Sequence, residues 1–263
     1  MFATHFKLKD QPFLEHMPPE RLQKDDRFSQ GLARLKYFAE AGTIALLTGQ
    51  TGVGKSSLLR LFCKSLNRTH YQIVYLYITH VKATSLLKLI VRGMGEVPAW
   101  GKENLFLQII EKARKSDLTT ILIVDEGHLT DSDALIDLRL LASADLENDA
   151  PIKLILTGQE TLWQQLKRTV HADLIHRISV KYHVPPLGRE ETGAYIDFQM
   201  RGVGGTNKIF HKEAKELIHD YTGGIPRQIN NVATACLLNA ASRDLQRINA
   251  QLVTDTMAEF HLP

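Results

Sequence analysis

The chain has 263 residues, 44% apolar and 23% charged, with 32 basic and 29 acidic side chains and a formal charge of +3. This is the balance of a soluble globular protein with room for one large or two modest domains. No run approaches the ~20 unbroken apolar residues of a membrane span, the opening MFATHFKLKDQPF lacks a signal-peptide apolar region, and a charge this small neither demands nor excludes nucleic acid.

In chain order, residues 1–26 read as an irregular lead-in broken by QPF and MPPE. The stretch 27–41 carries Phe28, Leu32, Leu35 and Phe38 at helical spacing, TIALLT (43–48) is a short apolar strand, and SSLLRLFCKSL (56–66) is helical again. YQIVYLYIT (71–79) is rich in β-branched and aromatic residues and reads as a second strand. Two amphipathic helices follow near 85–92 and 103–115, and Trp100 between them reads as a packed loop aromatic, with a partner contact as the alternative. TTILIVDEG (119–127) is a buried strand ending in two acids. ALIDLRLLASAD (134–145) is helical, IKLILTGQ (152–159) is another buried strand, and ISVKYHVPPL (178–187) is a last strand stopped by Pro185. Strands alternating with helices predict an α/β fold, a parallel sheet with helices on both faces. After Pro186 the pattern is all helical, with Gly223 and Gly224 as a helix stop and Pro226 suited to a first turn. The expected domains are a lead-in packing near the nucleotide (1–26), an α/β base (27–186) and a helical lid (187–263). Cys63 and Cys236 lie far apart in apolar helical patterns and read as buried thiols of a reducing, cytoplasmic setting.

Chemistry concentrates at GQTGVGKSS. Gly49 and Gly54 bracket four residues and Lys55 and Ser56 follow, which fits the phosphate-loop pattern G-x-x-x-x-G-K-[ST] between a strand and a helix. In such a loop the backbone N–H groups of Gly49, Gln50, Thr51, Gly52, Val53, Gly54 and the helix start at Lys55, Ser56 and Ser57 face phosphate oxygens. Lys55 would reach the β- and γ-phosphates of ATP, and Ser56 would ligate Mg²⁺. The partner acids are Asp125, for Mg²⁺ through water, and Glu126, for polarising the attacking water. Thr157 or Gln159, ending the strand 152–159, could sense the γ-phosphate. Arg177, before the last strand, is a candidate arginine finger supplied to a neighbouring subunit, and Arg227, opening a lid helix, a candidate to fold onto its own phosphates. His128 reads as a loop residue, with no second metal ligand at a suitable spacing.

The stretches GQTGVGKSSLLR, ILIVDEGHLTDSDALIDLRLL, IKLILTGQETL, RISVKYHVPPLGREETGAYI and GGIPRQINNVATACLLNAA, with HFKLKDQPF at the start, resemble AAA+ ATPases of the ExeA/TnsC type, from about His5 to Met257. The resemblance implies an AAA+ base with a helical lid, Asp125 and Glu126 as the Walker B pair, Arg177 as the finger and Arg227 as sensor 2. DEGHL departs from the secretion branch, which has Asp-Glu-Ala-Gln there. Two functions follow from the resemblance: a transposition regulator that assembles on double-stranded DNA as a ring or filament and activates a transposase, or a secretion-system ATPase for envelope assembly. A third reading is a solitary ATP-switched binding module. The sequence stops at Pro263 after the last lid helix, without the membrane span and wall-binding region of the secretion branch, which points to transposition. Sequence-independent DNA contact by a homo-oligomer is then expected from Lys82, Thr84, Lys88 and Lys102, with Arg92, Thr79 and Ser85 nearby.

Overall fold

A computed structural model describes residues 2–14, 17–143 and 152–260. The element order is α1 (Phe2–His5), α2 (Asp26–Ala41), β1 (Ile44–Thr48), α3 (Lys55–Ser65), β2 (Tyr71–Tyr77), α4 (Ala83–Gly93) and α5 (Lys102–Arg114). Then come β3 (Thr119–Asp125), α6 (Ser132–Leu141), β4 (Ile152–Gly158), α7 (Glu160–Leu166), α8 (Ala172–His176) and β5 (Ile178–His183). Four further helices close the chain, α9 (Arg189–Gly202), α10 (Lys212–Thr222), α11 (Pro226–Ser242) and α12 (Ala250–Phe260). Of the helix expected over 134–145, Ala144 and Asp145 lie outside the described residues. Among the described residues no helix is long and apolar enough to cross a membrane.

Backbone contacts divide the chain into two compact units. The α/β unit comprises Asp26–Thr51 and Leu58–Val184. Its sheet is wholly parallel in the order β2-β3-β4-β1-β5. The central strands are buried almost throughout, as near-continuous apolar runs such as IALLT and ILIV require. Val74, Leu76, Leu122, Val124, Leu154 and Leu156 pack on one face against α4, α5, α6 and α7. On the other face α2 packs against β1 and β5. Its approach is so close that a Cβ on Gly31 would lie 2.5 Å from Leu58 of α3 and 2.7 Å from the Tyr182 ring.

The helical unit comprises Met1–Asp25, Gly52–Ser57 and Pro185–Pro263. Its core joins Ile196, Met200, Phe210, Ile218, Ile229, Cys236, Leu237 and Val253 with Phe2, Phe6 and Phe13. The expected irregular lead-in therefore holds a helical turn and three core aromatics. Burial pushes the Cys236 thiol up to about 11, and Cys63 of the α/β unit likewise, so neither is a ready nucleophile.

Four strands end earlier than expected, β2 at Tyr77, β3 at Asp125, β4 at Gly158 and β5 at His183. In β5 the Val184 N–H still bonds to the Thr48 carbonyl (2.8 Å), but Pro185 and Pro186 have no N–H to extend the ladder. In β2 the Ile78 N–H reaches the Asp125 carbonyl (3.0 Å), and the chain then leaves for α4. The helices α7 and α8, with 7 and 5 residues, went unread because neither is long enough to display a helical period.

Candidate nucleotide site

The loop leaving β1 has the backbone that only glycine takes readily. Gly52 and Gly54 have φ of 88° and 108°, outside the range that side-chain-bearing residues prefer. Lys55 opens α3 and is buried to 6% relative exposure. The arrangement suits a polyphosphate, whose charge both the helix end and the lysine would balance.

Within the helical unit the loop meets α11. Pro226 and Arg227 form the first turn of that helix, where proline needs no N–H partner. The Arg227 N–H donates to the Gly52 carbonyl (3.2 Å), and a Cβ on Gly52 would stand 2.8 Å from the Arg227 Cβ. The guanidinium-bearing turn and the glycine loop are therefore in direct contact, with Arg227 otherwise exposed.

Within the α/β unit the acids gather at the carboxyl edge of the sheet. Asp125 ends β3 and is 1% exposed. Its Oδ1 accepts from the Glu126 N–H (3.0 Å), and its Oδ2 accepts from the Tyr75 hydroxyl on β2. Glu126 then turns left-handed, with φ 58° and ψ 35°, a conformation that costs a non-glycine residue roughly 1–2 kcal/mol. Its carboxylate lies 3.3 Å from Nδ1 of His128, which sits on the following 3-10 turn, Gly127–Leu129. Thr157 of β4 stands between β1 and β3 in the sheet, opposite Leu47 of β1. It is fully buried, and among the described residues its hydroxyl has no hydrogen-bond partner. Gln159 is half-buried at the N-cap of α7 and makes no side-chain cap bond.

Arg177 is elsewhere. It is exposed and precedes β5, whose first residue, Ile178, pairs with Ile44 at the amino end of β1. From there to the carboxyl edge at Thr48 the strand rises about 13 Å.

Of the residues expected to meet DNA, Lys82, Thr84 and Lys88 are exposed, with Ser85 and Arg92, on the solvent side of α4, whose opposite side buries Leu86, Leu87, Ile90 and Val91. Lys102 is different. Its Nζ lies 2.8 Å from Oδ2 of Asp137, a carboxylate buried on α6, and that hydrogen bond holds the ammonium above its usual range. Its first duty is to neutralise a buried acid, so an outward role in DNA contact is not what its surroundings favour. Trp100 is 93% exposed, which corrects the expectation of a packed aromatic.

Tyr75 and His128 join the site only through the fold. Strand alternation could have flagged Tyr75, since it falls on the same register as Tyr71, Ile73 and Tyr77. The DEGH departure was the only signal for His128.

A family profile described as an AAA domain matches residues 39–166, which span the loop, both acids and Thr157. The chain is 28% identical over 256 residues to General secretion pathway protein A of Aeromonas hydrophila, covering 94% of this chain but only 46% of that protein. It thus spans about half the length of that curated relative. In fold it is similar to Cdc6p from Pyrobaculum aerophilum, with TM-score 0.76, 18% identity, and 95% of this chain and 70% of that one covered. It is also similar to a chain of Drosophila ORC bound to DNA, with TM-score 0.74, 15% identity, and 100% and 66% covered. Residues 39–166 thus carry an AAA domain in a P-loop fold with a wholly parallel sheet, and the likeness to General secretion pathway protein A supports a chain of the ExeA type.

Proposed function

We propose that this protein hydrolyses Mg²⁺-ATP at an interface between its own copies and uses the cycle to assemble on, and leave, double-stranded DNA, where it recruits and activates a transposase. The observation that carries the nucleotide half is the contact of the Gly52 carbonyl with the Arg227 N–H, because a loop and lid helix so joined sense the same phosphates. In this reading the loop N–H groups and Lys55 hold the β- and γ-phosphates. Ser56 would offer a hydroxyl and Asp125 a carboxylate to hold Mg²⁺, which would supply charge neutralisation at the phosphates. The residues fit such an ion: Asp125 is buried and already oriented by Tyr75 and the Glu126 N–H. Glu126 polarises the attacking water. Thr157 is the better phosphate sensor of the two candidates, since its buried hydroxyl lacks a partner among the described residues and Gln159 is only half-buried.

Arg177 suits a neighbour's site and not its own, since it stands at the amino edge of the sheet. Arg177→Ala should therefore leave ATP binding by isolated subunits near the parent level while damaging assembly and turnover. Mixed with Glu126→Gln protein it should regain part of its activity, because some interfaces then pair an intact Arg177 with an intact Glu126. Absence of recovery at every mixing ratio, with co-assembly verified by light scattering, would rule out a shared site.

The DNA half rests on the exposed cationic and hydroxyl side of α4, and on the likeness in fold to an ORC chain bound to DNA. Such contacts track phosphates without reading bases. Binding should be weak without ATP, steep in salt, and stronger with a slowly hydrolysed ATP analogue, since assembly multiplies the contacts. Lys82→Ala combined with Lys88→Ala should flatten the slope of log K against log salt by about 2 per subunit engaged, equally on duplexes of unrelated sequence. An unchanged slope would move the contact away from α4. A parent protein with no ATP-dependent DNA binding at low salt would bring forward the second reading, an ATPase of envelope machinery.

A further inference from the structure

We propose that His128 is a positioning residue for Glu126, holding its carboxylate in the orientation that polarises water. This rests on the ATPase reading of Glu126 given above. Glutamate has a long side chain whose rotamers cost entropy to fix, and misplacement of a catalytic group by about 1 Å can cost 10²-fold in rate. Here three local features fix it together. The left-handed backbone at Glu126 turns the chain back so that His128 faces the acid two residues earlier. The His128 Nδ1 then lies 3.3 Å from the Glu126 carboxylate, and both side chains are largely withdrawn from solvent, 13% and 20% exposed. The end of β4 leaves room for the turn. A Cβ on Gly158 would stand 3.2 Å from both the N and the Nδ1 of His128, and a Cβ on Gly127 would stand 3.2 Å from the Thr157 carbonyl. A side chain at residue 158 would therefore press on the imidazole. The turn is further anchored by Gln165 of α7, whose side-chain amide donates to the Thr130 carbonyl (2.8 Å).

A residue acting only on stability would shift unfolding and leave the kinetic constants of the folded fraction alone. A positioning residue lowers kcat with little change in KM for ATP, because the phosphates are held by other groups. Steady-state ATP turnover should be measured on the full chain for the parent, Glu126→Gln, His128→Ala, His128→Gln, Gly158→Ala and the His128→Ala/Gly158→Ala pair, with thermal unfolding of each. The expected result is a kcat about tenfold lower in His128→Ala at nearly unchanged KM. His128→Gln, which offers an amide N–H near the carboxylate, should recover roughly a third of parental kcat. Gly158→Ala, with the histidine intact, should lose kcat severalfold through the displaced imidazole, and should lose nothing more once His128 is already alanine. A kcat in His128→Ala within about twofold of the parent, or a Gly158→Ala loss that multiplies in full in the pair, overturns the proposal. Parental turnover in Glu126→Gln overturns the assignment of Glu126 itself, a different failure from a silent His128.

Discussion

Glu126→Gln is expected to bind ATP as the parent does and to turn it over about a hundred- to a thousandfold more slowly, the range lost with a positioned acid–base group. The amide keeps the volume and one acceptor oxygen of the carboxylate but cannot draw a proton from water. The left-handed backbone at φ 58° is a property of the turn, and glutamine adopts it at the same cost as glutamate, so the fold should be unaltered. The Asp125 side chain also keeps its bond from the main-chain N–H of residue 126. The measurement is single-turnover hydrolysis at saturating ATP beside a nucleotide titration. If hydrolysis drives departure from DNA, assemblies of this variant should also outlast those of the parent after free protein is removed. Parental turnover would move the catalytic role to another residue, and parental persistence would break the link between hydrolysis and disassembly.

Gly224→Ala should cost about 3 kcal/mol of stability, the sum of a left-handed penalty of roughly 1–2 kcal/mol and overpacking of roughly 1–3 kcal/mol. Gly224 has φ 74°, and a Cβ there would fall 1.9 Å from the Leu187 carbonyl oxygen and 3.1 Å from the Leu187 nitrogen. These are main-chain atoms that no rotamer change can clear. The same pair is joined by a hydrogen bond from the Leu187 N–H to the Gly224 carbonyl (2.9 Å). The neighbouring Gly223 is a clean reference. It is also left-handed, at φ 56°, but nothing lies within 4 Å of its would-be Cβ. Gly223→Ala should therefore lose only about 1 kcal/mol. Chemical denaturation of the two variants side by side decides the matter, and equal losses would mean that Leu187 gives way. Because Arg227 follows three residues after Gly224, the clash should also weaken the loop contact and raise the ATP Kd, whereas Gly223→Ala should leave it near the parent value.

The sequence by itself determined the parts whose causes are local. The phosphate loop was legible because its glycines, lysine and serine are consecutive and the backbone they require is set within six residues. The buried strands were legible because a parallel strand covered on both faces is apolar along its length, and the start of α11 because proline at a first helical turn and glycine at a stop act through their own φ. Tertiary structure decided everything that depended on which strands became neighbours. Thr157 and Gln159 are two residues apart and chemically comparable, and only the placing of β4 between β1 and β3 buries one hydroxyl and leaves the other side chain half-exposed. Tyr75 and Asp125 are distant in the chain, and the pairing of β2 with β3 brings hydroxyl to carboxylate. Lys102 looked like an outward cation until the packing of α5 on α6 set it against Asp137. Phe2, Phe6 and Phe13 looked like a lead-in until the lid helices enclosed them. The reason is common to all of these. A turn or a helix start is governed by torsions and hydrogen bonds within one segment, while the burial and charge state of a side chain are set by whatever distant segment the fold lays against it.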